Sequence, residues 1–400
     1  MTQATLAIRP LVSVVTPFYN TARYLVQCIE SVLTQSYPEF EYILMDNCST
    51  DGSGEIAQTY ARRDPRIRLI RCSEFASQLR NYNRALAEIS DASQYCKIVQ
   101  ADDYIFPQCL ELMVQAFEQS NSIGLVSSYR LYGDMIGGSG YPYPTPILPG
   151  KECGRFCLQT GIYVFGSQTT VMYRSSLVRA QNPFYNESIS YADLEKCMEI
   201  LTHCDFGFVH QVLSFSRIDS KSITSSIQDL SPYALDQYII TQRYASVFIE
   251  PREAASLRRK SRRVYYRVLA KAAIRLRPPA YWRYHRLGLK MLKETINWPY
   301  LLLHIGLVSV WLALNPGVTA AMALGSWKRG KRSWRGGRSL RAADNLVERA
   351  RGGSRTDADH RAPSDPGRVN KGAPISDHPE ATNSELGRSQ SCPRPGPACR

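Results

Sequence analysis

The stretch Leu11-Val-Ser-Val-Val-Thr-Pro-Phe-Tyr-Asn20 decides the fold of this chain. Its first half, Leu11–Thr16, is almost continuously apolar, which is typical of a strand that is buried on both faces of a sheet. A helical stripe follows, for which Asn20 or Thr21 is expected to provide the N-cap, with apolar residues at Leu25, Val26, Ile29, Val32 and Leu33. This order of strand, polar turn and helix predicts the first unit of a parallel α/β sheet.

The same pattern repeats to about residue 128. Further short apolar strands are predicted at Glu41–Met45, Ile67–Arg71, Lys97–Gln100 and Ile123–Ser128. Two more helical stripes accompany them, one on Leu79, Tyr82, Leu86 and Ile89 and one behind Pro107 on Leu110, Leu112, Met113 and Phe117. The alternation predicts an α/β sandwich with right-handed crossovers.

The charge distribution limits the partners that the chain can bind. A net charge of +14 over 400 residues would suit a nucleic-acid-binding protein if the charge were spread over the fold. However, residues 1–251 carry 19 basic and 25 acidic residues, whereas residues 252–293 carry 14 basic residues and one acid. The basic character therefore belongs to an appendage, which favours an anionic membrane surface as the partner and argues against nucleic acid.

Composition also predicts how the chain is divided. We expect an α/β domain over residues 1–230, a basic and apolar helical extension over 231–325, and a disordered tail over 326–400 that is too poor in apolar residues for a core. The apolar run Leu301–Leu314 is shorter than the roughly 20 residues that cross a bilayer, so we expect the extension to lie on a membrane. Eleven scattered cysteines without a CxxC pair, and no secretory signal in residues 1–10, predict a cytoplasmic protein.

Polar side chains follow three of the predicted strands, in the segments Thr16–Asn20, Asp46–Ser53 and Gln100–Asp103. Open α/β sheets bind ligands at the carboxyl ends of their strands. Carboxylates gathered at such an edge repel one another unless a cation compensates, and Asp102 and Asp103 are suitable ligands for Mg²⁺ or Mn²⁺ bound together with a diphosphate. Taken singly, each segment has a simpler explanation as a helix N-cap or a turn. Their ordered occurrence at three strand ends favours a ligand site.

Together these segments resemble the family 2 glycosyltransferases of the GT-A fold. The matching residues lie within about 11–220 and are Val12–Asn20, Asp46–Ser53, Arg80-Asn81 and Ala101-Asp102-Asp103. The resemblance implies an α/β GT-A sandwich. It also implies an enzyme that moves a sugar from a nucleotide-diphosphate donor to a saccharide or lipid-linked hydroxyl acceptor, with inversion and metal assistance. Its expected role is surface polysaccharide or glycolipid synthesis, at the inner face of the cell membrane.

The resemblance assigns four residues to the donor. Pro17, Tyr19 and Asp46 are expected at the base and ribose, where Tyr19 offers a stacking face. Arg80 is expected near the diphosphate, because a planar guanidinium suits phosphate geometry.

The resemblance also makes Asp102 the principal metal ligand, with Asp103 at the ribose or in the metal shell. The family commonly has Asp-x-Asp-Asp here, whereas this chain has Gln100 in the first position. Gln100 can still donate a hydrogen bond to the ribose or to a metal-bound water, but one negative charge is missing.

The family places a carboxylate base at the start of a helix in the second half of the fold. The segment Ser190–Glu195 has the comparable position, so Asp193 is the expected general base, with Glu195 as the alternative. An ordinary N-cap role for Asp193 explains the sequence almost as well. Farther along, Arg217 is expected to face the diphosphate, and His210 is expected to be a hydrogen-bonded structural residue.

Two other functions remain compatible with these motifs. One is a non-catalytic nucleotide-sugar-binding partner in a polysaccharide assembly complex, which the loss of charge at Gln100 favours. The other is a nucleotidyltransferase, which would release pyrophosphate. A dinucleotide-dependent oxidoreductase is disfavoured, because no G-x-G-x-x-G follows the first strand.

Overall fold

A computed structural model describes residues 9–138, 140–218 and 228–317 of the chain. The expected tail at 326–400 lies outside the described residues.

Four parallel strands form the first half of the sheet, in the order β3-β2-β1-β4. They are β1 (Val12–Phe18), β2 (Phe40–Asp46), β3 (Ile67–Arg71) and β4 (Tyr95–Ile98). All seven residues of β1 are buried, as its apolar sequence predicts. β1 runs two residues past its predicted end at Thr16, so Pro17 and Phe18 belong to the strand.

Six shorter or later strands complete a ten-stranded mixed sheet in the described residues. They are β5 (Tyr104–Ile105), β6 (Ile123–Tyr132), β7 (Met135–Gly137), β8 (Ile147–Leu148), β9 (Met172–Arg174) and β10 (Asp205–Ser216). The order continues from β4 through β9, β6 and β10 to β5. β9 is antiparallel to both β4 and β6, while β6 and β10 are parallel.

Seven helices cover the two faces of this sheet: α1 (Ala22–Leu33), α2 (Ser53–Arg63), α3 (Gln78–Leu86), α4 (Cys109–Phe117), α5 (Gly150–Thr160), α6 (Ser175–Arg179) and α7 (Ala192–Ile200). The helices α1, α2 and α4 contribute to one apolar core, and α3, α5 and α7 contribute to the other. The predicted sandwich is therefore confirmed. Val26 is the one member of the predicted α1 stripe that is exposed, and Cys28 takes its place in the core because it lies on the face of Leu25, Ile29 and Val32.

Four further helices follow a short 3₁₀ turn at Gln228–Leu230: α8 (Pro232–Phe248), α9 (Pro251–Ile274), α10 (Pro279–Lys290) and α11 (Trp298–Leu314). Each has a proline in its first turn, where the missing N–H costs no intrahelical bond. We call residues 232–314 the helical extension. α8 joins it to the sandwich, because Ile240 and Phe248 enter the sheet core while Leu235 and Tyr238 enter the core of the extension. Among the described residues, no helix combines the length and apolarity needed to cross a bilayer.

Candidate active site

The three polar segments predicted from the sequence lie at one edge of the sheet. β1 has β2 and β4 as its parallel neighbours, so the carboxyl ends of all three strands face the same way. Phe18 at the end of β1 is in register with Asp46 at the end of β2, and its carbonyl accepts a hydrogen bond from the Asn47 N–H at 2.9 Å. The structure therefore brings Tyr19, Asp46 and the Gln100–Asp103 segment to a common edge.

The loops after β1 and β2 are joined to each other by side-chain hydrogen bonds. The Asp51 carboxylate accepts from the Ala22 N–H at 2.9 Å, and the Ser53 hydroxyl accepts from the Thr21 N–H at 2.9 Å. Thr21 is the N-cap residue of α1, one of the two residues expected there, but its side chain makes no capping bond, and Asp51 and Ser53 bind the first N–H groups instead. Asn20 accepts a hydrogen bond from the Thr50 N–H at 2.8 Å, which ties the two loops together again.

Asp46 is a buried carboxylate at the end of β2. Its Oδ1 accepts a hydrogen bond from the Ser49 N–H at 2.9 Å. A Cβ on Gly54 would lie 2.8 Å from Asp46 Oδ2, so only glycine lets the start of α2 come this close to the carboxylate. Tyr19 is 44% exposed and packs edge-on against Phe75 with 4.7 Å between the ring centroids, whereas Pro17 is buried within β1.

Asp102 and Asp103 have different surroundings. Asp103 is 5% exposed, and its carboxylate accepts hydrogen bonds from the Thr169 hydroxyl at 2.7 Å, the Ser216 hydroxyl at 3.2 Å and the Arg217 N–H at 3.0 Å. Burial, and to a lesser extent the charge of Asp102, raise the pKa of Asp103 to about 6, against the opposing effect of these hydrogen bonds. Asp102 is only half-buried. Neither aspartate is the N-cap of α4, which is Gln108.

Gln100 is held by neutral groups. Its side-chain amide donates to the Tyr82 hydroxyl at 3.2 Å, and its backbone N–H donates to the Thr169 hydroxyl at 3.1 Å. Thr169 therefore links Gln100 to Asp103. In the part of the chain that the structure describes, no group of three or more His, Cys, Asp or Glu side chains is arranged to hold a metal ion.

Asp193 and Glu195 lie in the first turn of α7 but differ in their partners. Glu195 is buried and forms an ion pair with Arg243 at 2.7 Å. Asp193 is half-buried. Burial is the main cause that raises its pKa, and the helix N–H groups and the charge of Arg130 act against this rise. Asp193 is not the N-cap residue of α7, which is Tyr191.

Arg130 on β6 is a site residue that the sequence reasoning missed. Burial lowers the pKa of its guanidinium, while the charges of Asp103 and Asp193 favour the protonated form. Its Nε is buried and has no hydrogen-bond partner among the residues that the structure describes. The missed signal is the length of β6, because the strand was predicted to end at Ser128 and in fact continues through Arg130 to Tyr132.

Three other predicted residues have distinct environments. Arg80 is exposed on α3 and lies 4.0 Å from Glu74, and its described contacts do not include the Asp102–Asp103 segment. Arg217 lies beside that segment: its Nε donates to the Asp102 carbonyl at 2.9 Å, and its guanidinium lies 4.3 Å from the Tyr24 ring centroid. His210 is hydrogen-bonded between the Tyr129 hydroxyl and the Thr145 carbonyl, which confirms its structural role.

Comparison with known proteins agrees with this geometry. Residues 13–180 match the sequence model of the family described as Glycosyl transferase family 2. Residues 13–180 are therefore similar to a family 2 glycosyltransferase domain. The resemblance inferred from the motifs is therefore confirmed.

Two curated relatives are similar to this domain. The glycosyltransferase GlyG of Streptococcus pneumoniae serotype 4 is 35% identical over 190 residues, covering 44% of this chain and 58% of that protein. The putative glycosyltransferase EpsE of Bacillus subtilis strain 168 is 33% identical over 174 residues, covering 42% of this chain and 58% of that protein. This chain thus matches somewhat more than half the length of each relative.

Among solved structures, the fold is similar to that of S. aureus TarS 1–349. The TM-score is 0.50 at 16% identity, and the match covers 69% of this chain and 79% of that one. At this identity the likeness concerns the fold alone. It confirms the predicted α/β GT-A architecture.

Proposed function

We propose that this chain transfers a sugar from a nucleotide-diphosphate donor to a hydroxyl acceptor, with inversion, by a single displacement. The observation that supports this most is the common sheet edge at which Tyr19, Asp46 and the Gln100–Asp103 segment lie. The charges of Asp103 and of Asp193 both act on Arg130, which supports a link between this edge and the proposed base on α7. A TarS structure of the same fold was determined in complex with UDP-GlcNAc, which supports a nucleotide sugar as the donor.

The proposed chemistry needs one proton acceptor. The acceptor hydroxyl oxygen attacks the anomeric carbon, its proton passes to the Asp193 carboxylate, and the bond from that carbon to the diphosphate oxygen breaks. The nucleoside diphosphate leaves with the bonding electron pair. A raised pKa makes Asp193 a stronger base than an ordinary carboxylate. Glu195 suits this role less well, because Arg243 already neutralises it.

Mg²⁺ or Mn²⁺ is the proposed cofactor. Asp102 fits a metal ion best, since it is half-buried and stands at the strand end. Asp103 fits less well as a direct ligand, because three protein groups already donate to its carboxylate, so we place it in the supporting shell. When bound, the metal would offset charge that develops on the departing diphosphate. Gln100 would then donate to the ribose or to a metal-bound water.

The other residues proposed to contact the donor lie at the same edge of the sheet. Tyr19 is exposed and suits stacking on the base, and Asp46 suits the base or ribose. Pro17 is buried, so its proposed contribution is to shape the strand end below them. Arg217 lies closer than Arg80 to the proposed metal site and is the better placed cation for the diphosphate.

A panel of UDP-, GDP- and dTDP-sugars tests this function. Purified full-length protein is incubated with each donor and Mn²⁺ or Mg²⁺, and release of nucleoside diphosphate is measured. We expect slow hydrolysis of at least one donor and no release without metal. Donor binding without turnover would instead favour the non-catalytic partner, with Gln100 as its signature. Pyrophosphate release from a nucleoside triphosphate would favour a nucleotidyltransferase.

We also propose that the helical extension binds an anionic membrane surface on the cytoplasmic side. α11 has two apolar faces: Leu301, His304, Val308 and Leu312 are buried, whereas the outward side exposes Trp298, Leu302, Leu303, Leu307, Val310, Trp311 and Leu314. The neighbouring α9 exposes a basic residue at every fourth position, at Arg259, Arg263, Arg267 and Lys271. Apolar insertion combined with basic residues suits the surface of anionic lipid.

Vesicle sedimentation tests this location. Full-length protein should sediment with vesicles that contain phosphatidylglycerol and much less with vesicles of phosphatidylcholine alone. The double variant Leu302→Glu, Leu307→Glu should remove the binding, while Val26→Glu, an exposed apolar residue on α1, should not. Equal sedimentation of all three proteins would contradict the proposal.

A further inference from the structure

Two residues in the turn before α7 are hydrogen-bonded to the helical extension. The Tyr191 N–H donates to the Asp236 carboxylate of α8 at 3.1 Å. The Ser190 and Tyr284 hydroxyls lie 2.8 Å apart, which joins the same turn to α10. Both bonds are made within three residues of Asp193, so the extension holds the chain just before the proposed base.

Close packing of α10 on α8 sets this arrangement. A Cβ on Gly288 would lie 2.3 Å from the Leu235 side chain, so only glycine permits the observed approach. Gly288 follows Tyr284 by four residues and therefore lies on the same face of α10. Leu235 is the residue before Asp236. The glycine contact thus brings Tyr284 and Asp236 to one side of the Ser190–Tyr191 turn.

A second set of contacts fixes the body of α7 on the same helix. Glu195 binds Arg243 at 2.7 Å and accepts a hydrogen bond from the Tyr244 hydroxyl at 3.3 Å, and both partners belong to α8. α7 is therefore held by α8 one residue before its first turn and again within that turn. The backbone of this turn, which carries Asp193, is therefore fixed at two points.

We infer that the helical extension positions Asp193 for proton abstraction, with Asp236 and Tyr284 as the positioning residues. The inference rests on the proposed role of Asp193 as the base. It assigns to α8 and α10 a part in the chemical step that is separate from any contact with a membrane. A displacement of about 1 Å at a reacting group can lower a rate about a hundredfold, so two hydrogen bonds at this turn are sufficient to matter.

The state of Asp236 suggests a conservative variant. It is 2% exposed, and burial, together with the charges of Asp193 and Glu195, raises its pKa to about 7. The neutral form is therefore well populated at neutral pH. Asparagine resembles that form and can still accept from the Tyr191 N–H through its Oδ1.

The test compares Asp236→Ala, Asp236→Asn and Tyr284→Phe in the full-length chain. Nucleoside diphosphate release is measured with Mn²⁺ for every donor in a panel of UDP-, GDP- and dTDP-sugars, giving kcat and KM separately. We expect Asp236→Ala to lower kcat by about tenfold or more with little change in KM, because the donor edge is untouched. Asp236→Asn should restore most of kcat. Tyr284→Phe should lower kcat by about threefold to tenfold.

Tyr265→Phe is the matched control. It also removes a buried tyrosine hydrogen bond in the extension, to His285 at 2.9 Å, but does not touch the turn before α7. Its kcat should equal that of the wild type. If Asp236→Ala and Tyr284→Phe turn over at the wild-type rate, or if Tyr265→Phe loses as much kcat as they do, the positioning role is wrong. A wild-type protein that hydrolyses no donor would instead overturn the proposed function itself.

Discussion

The sheet edge and the helical extension reveal their roles in opposite ways. At the edge, the segments after β1, β2 and β4 are short, contiguous in sequence and polar, and the topology of the sheet brings them together. In the extension, Asp236 and Tyr284 are single side chains on two different helices. Each contacts the Ser190–Tyr191 turn, which is more than 40 residues away in the sequence.

This difference shows which kinds of structural element record their function in a local sequence motif. A loop at a strand end supplies several ligand groups from consecutive residues, so its chemistry is recorded as a local pattern. A helix that supports another element supplies one side chain at a time, and its partner is chosen by tertiary packing. If this is correct, substitutions at the sheet edge should affect the chemical step directly, and substitutions in the helical extension should affect it through the position of Asp193.

The largest effect is expected at the edge, from Asp102→Asn. If Asp102 holds the metal, its loss should lower nucleoside diphosphate release by about a hundredfold or more, because charge on the leaving group is no longer offset. The control is Asp91→Asn, an exposed aspartate before β4 at the opposite end of that strand, which should retain wild-type release. Equal activity of the two variants would remove the edge from the mechanism.

A second large effect is expected from Asp193→Asn. Loss of the base should lower kcat by about a hundredfold to ten-thousandfold, while donor affinity, measured by titration with Mn²⁺, stays unchanged. Lost donor binding would show that Asp193 is a structural residue.

Glu195→Gln separates the two candidates for the base. Glutamine can still accept hydrogen bonds from Arg243 and Tyr244 through its Oε1, so α7 stays attached to α8, but the ion pair with Arg243 is lost. The variant should therefore have a lower melting temperature and retain turnover in the folded fraction. A folded Glu195→Gln protein without turnover would make Glu195 the base.

Arg130→Met tests the group that joins the edge to α7. We expect kcat to fall by about tenfold, with Arg130→Lys losing less. The charge of Arg130 lowers the pKa of Asp193, so removing it should move the acidic limb of the pH–rate profile to higher pH. Arg66→Met, which removes a cation paired with Asp64 after α2, should leave the profile in place. An unshifted limb in Arg130→Met would show that Arg130 does not act on the base.

The sequence predicted the sheet edge well because each of its elements has a local cause. Short β-rich runs predicted β1 to β4, although β4 spans Tyr95–Ile98 and not Lys97–Gln100, and the polar segments after β1, β2 and β4 predicted one ligand edge. The resemblance to the family followed from the order of these segments. The side chains that cap α1 were missed, because Asp51 and Ser53 belong to the next loop, and local spacing cannot show a bond between loops.

Arg130 and Asp236 could not be predicted, because their places in the site depend on contacts between segments that are distant in the sequence. Arg130 lies in the second half of β6, where polar residues interrupt the apolar pattern, so the sequence did not predict that the strand continues to Tyr132. Asp236 lies in the second turn of α8 between Leu235 and Gln237, and it is buried where the turn before α7 packs against α8. Nothing in the neighbouring sequence distinguishes such a residue from a solvated aspartate.

The smallest effect concerns stability and singles out Asp236 again. In the unfolded chain an aspartate loses its proton near pH 4, whereas Asp236 in the folded protein keeps its proton up to about pH 7. Between these values the folded state binds more protons than the unfolded state, so the free energy of unfolding falls as the pH rises from about 4 to about 7.

Asp236→Asn lacks this contribution, and its melting temperature should therefore fall less than that of the wild type between pH 5 and pH 8. Each kcal/mol of difference corresponds to roughly 2–4 °C. Asp91→Asn, which changes an exposed aspartate, should follow the wild type. Parallel melting curves for Asp236→Asn and the wild type would show that Asp236 titrates normally. In that case asparagine would no longer resemble its native state, and rescue of kcat by Asp236→Asn would rest on the hydrogen bond to Tyr191 alone.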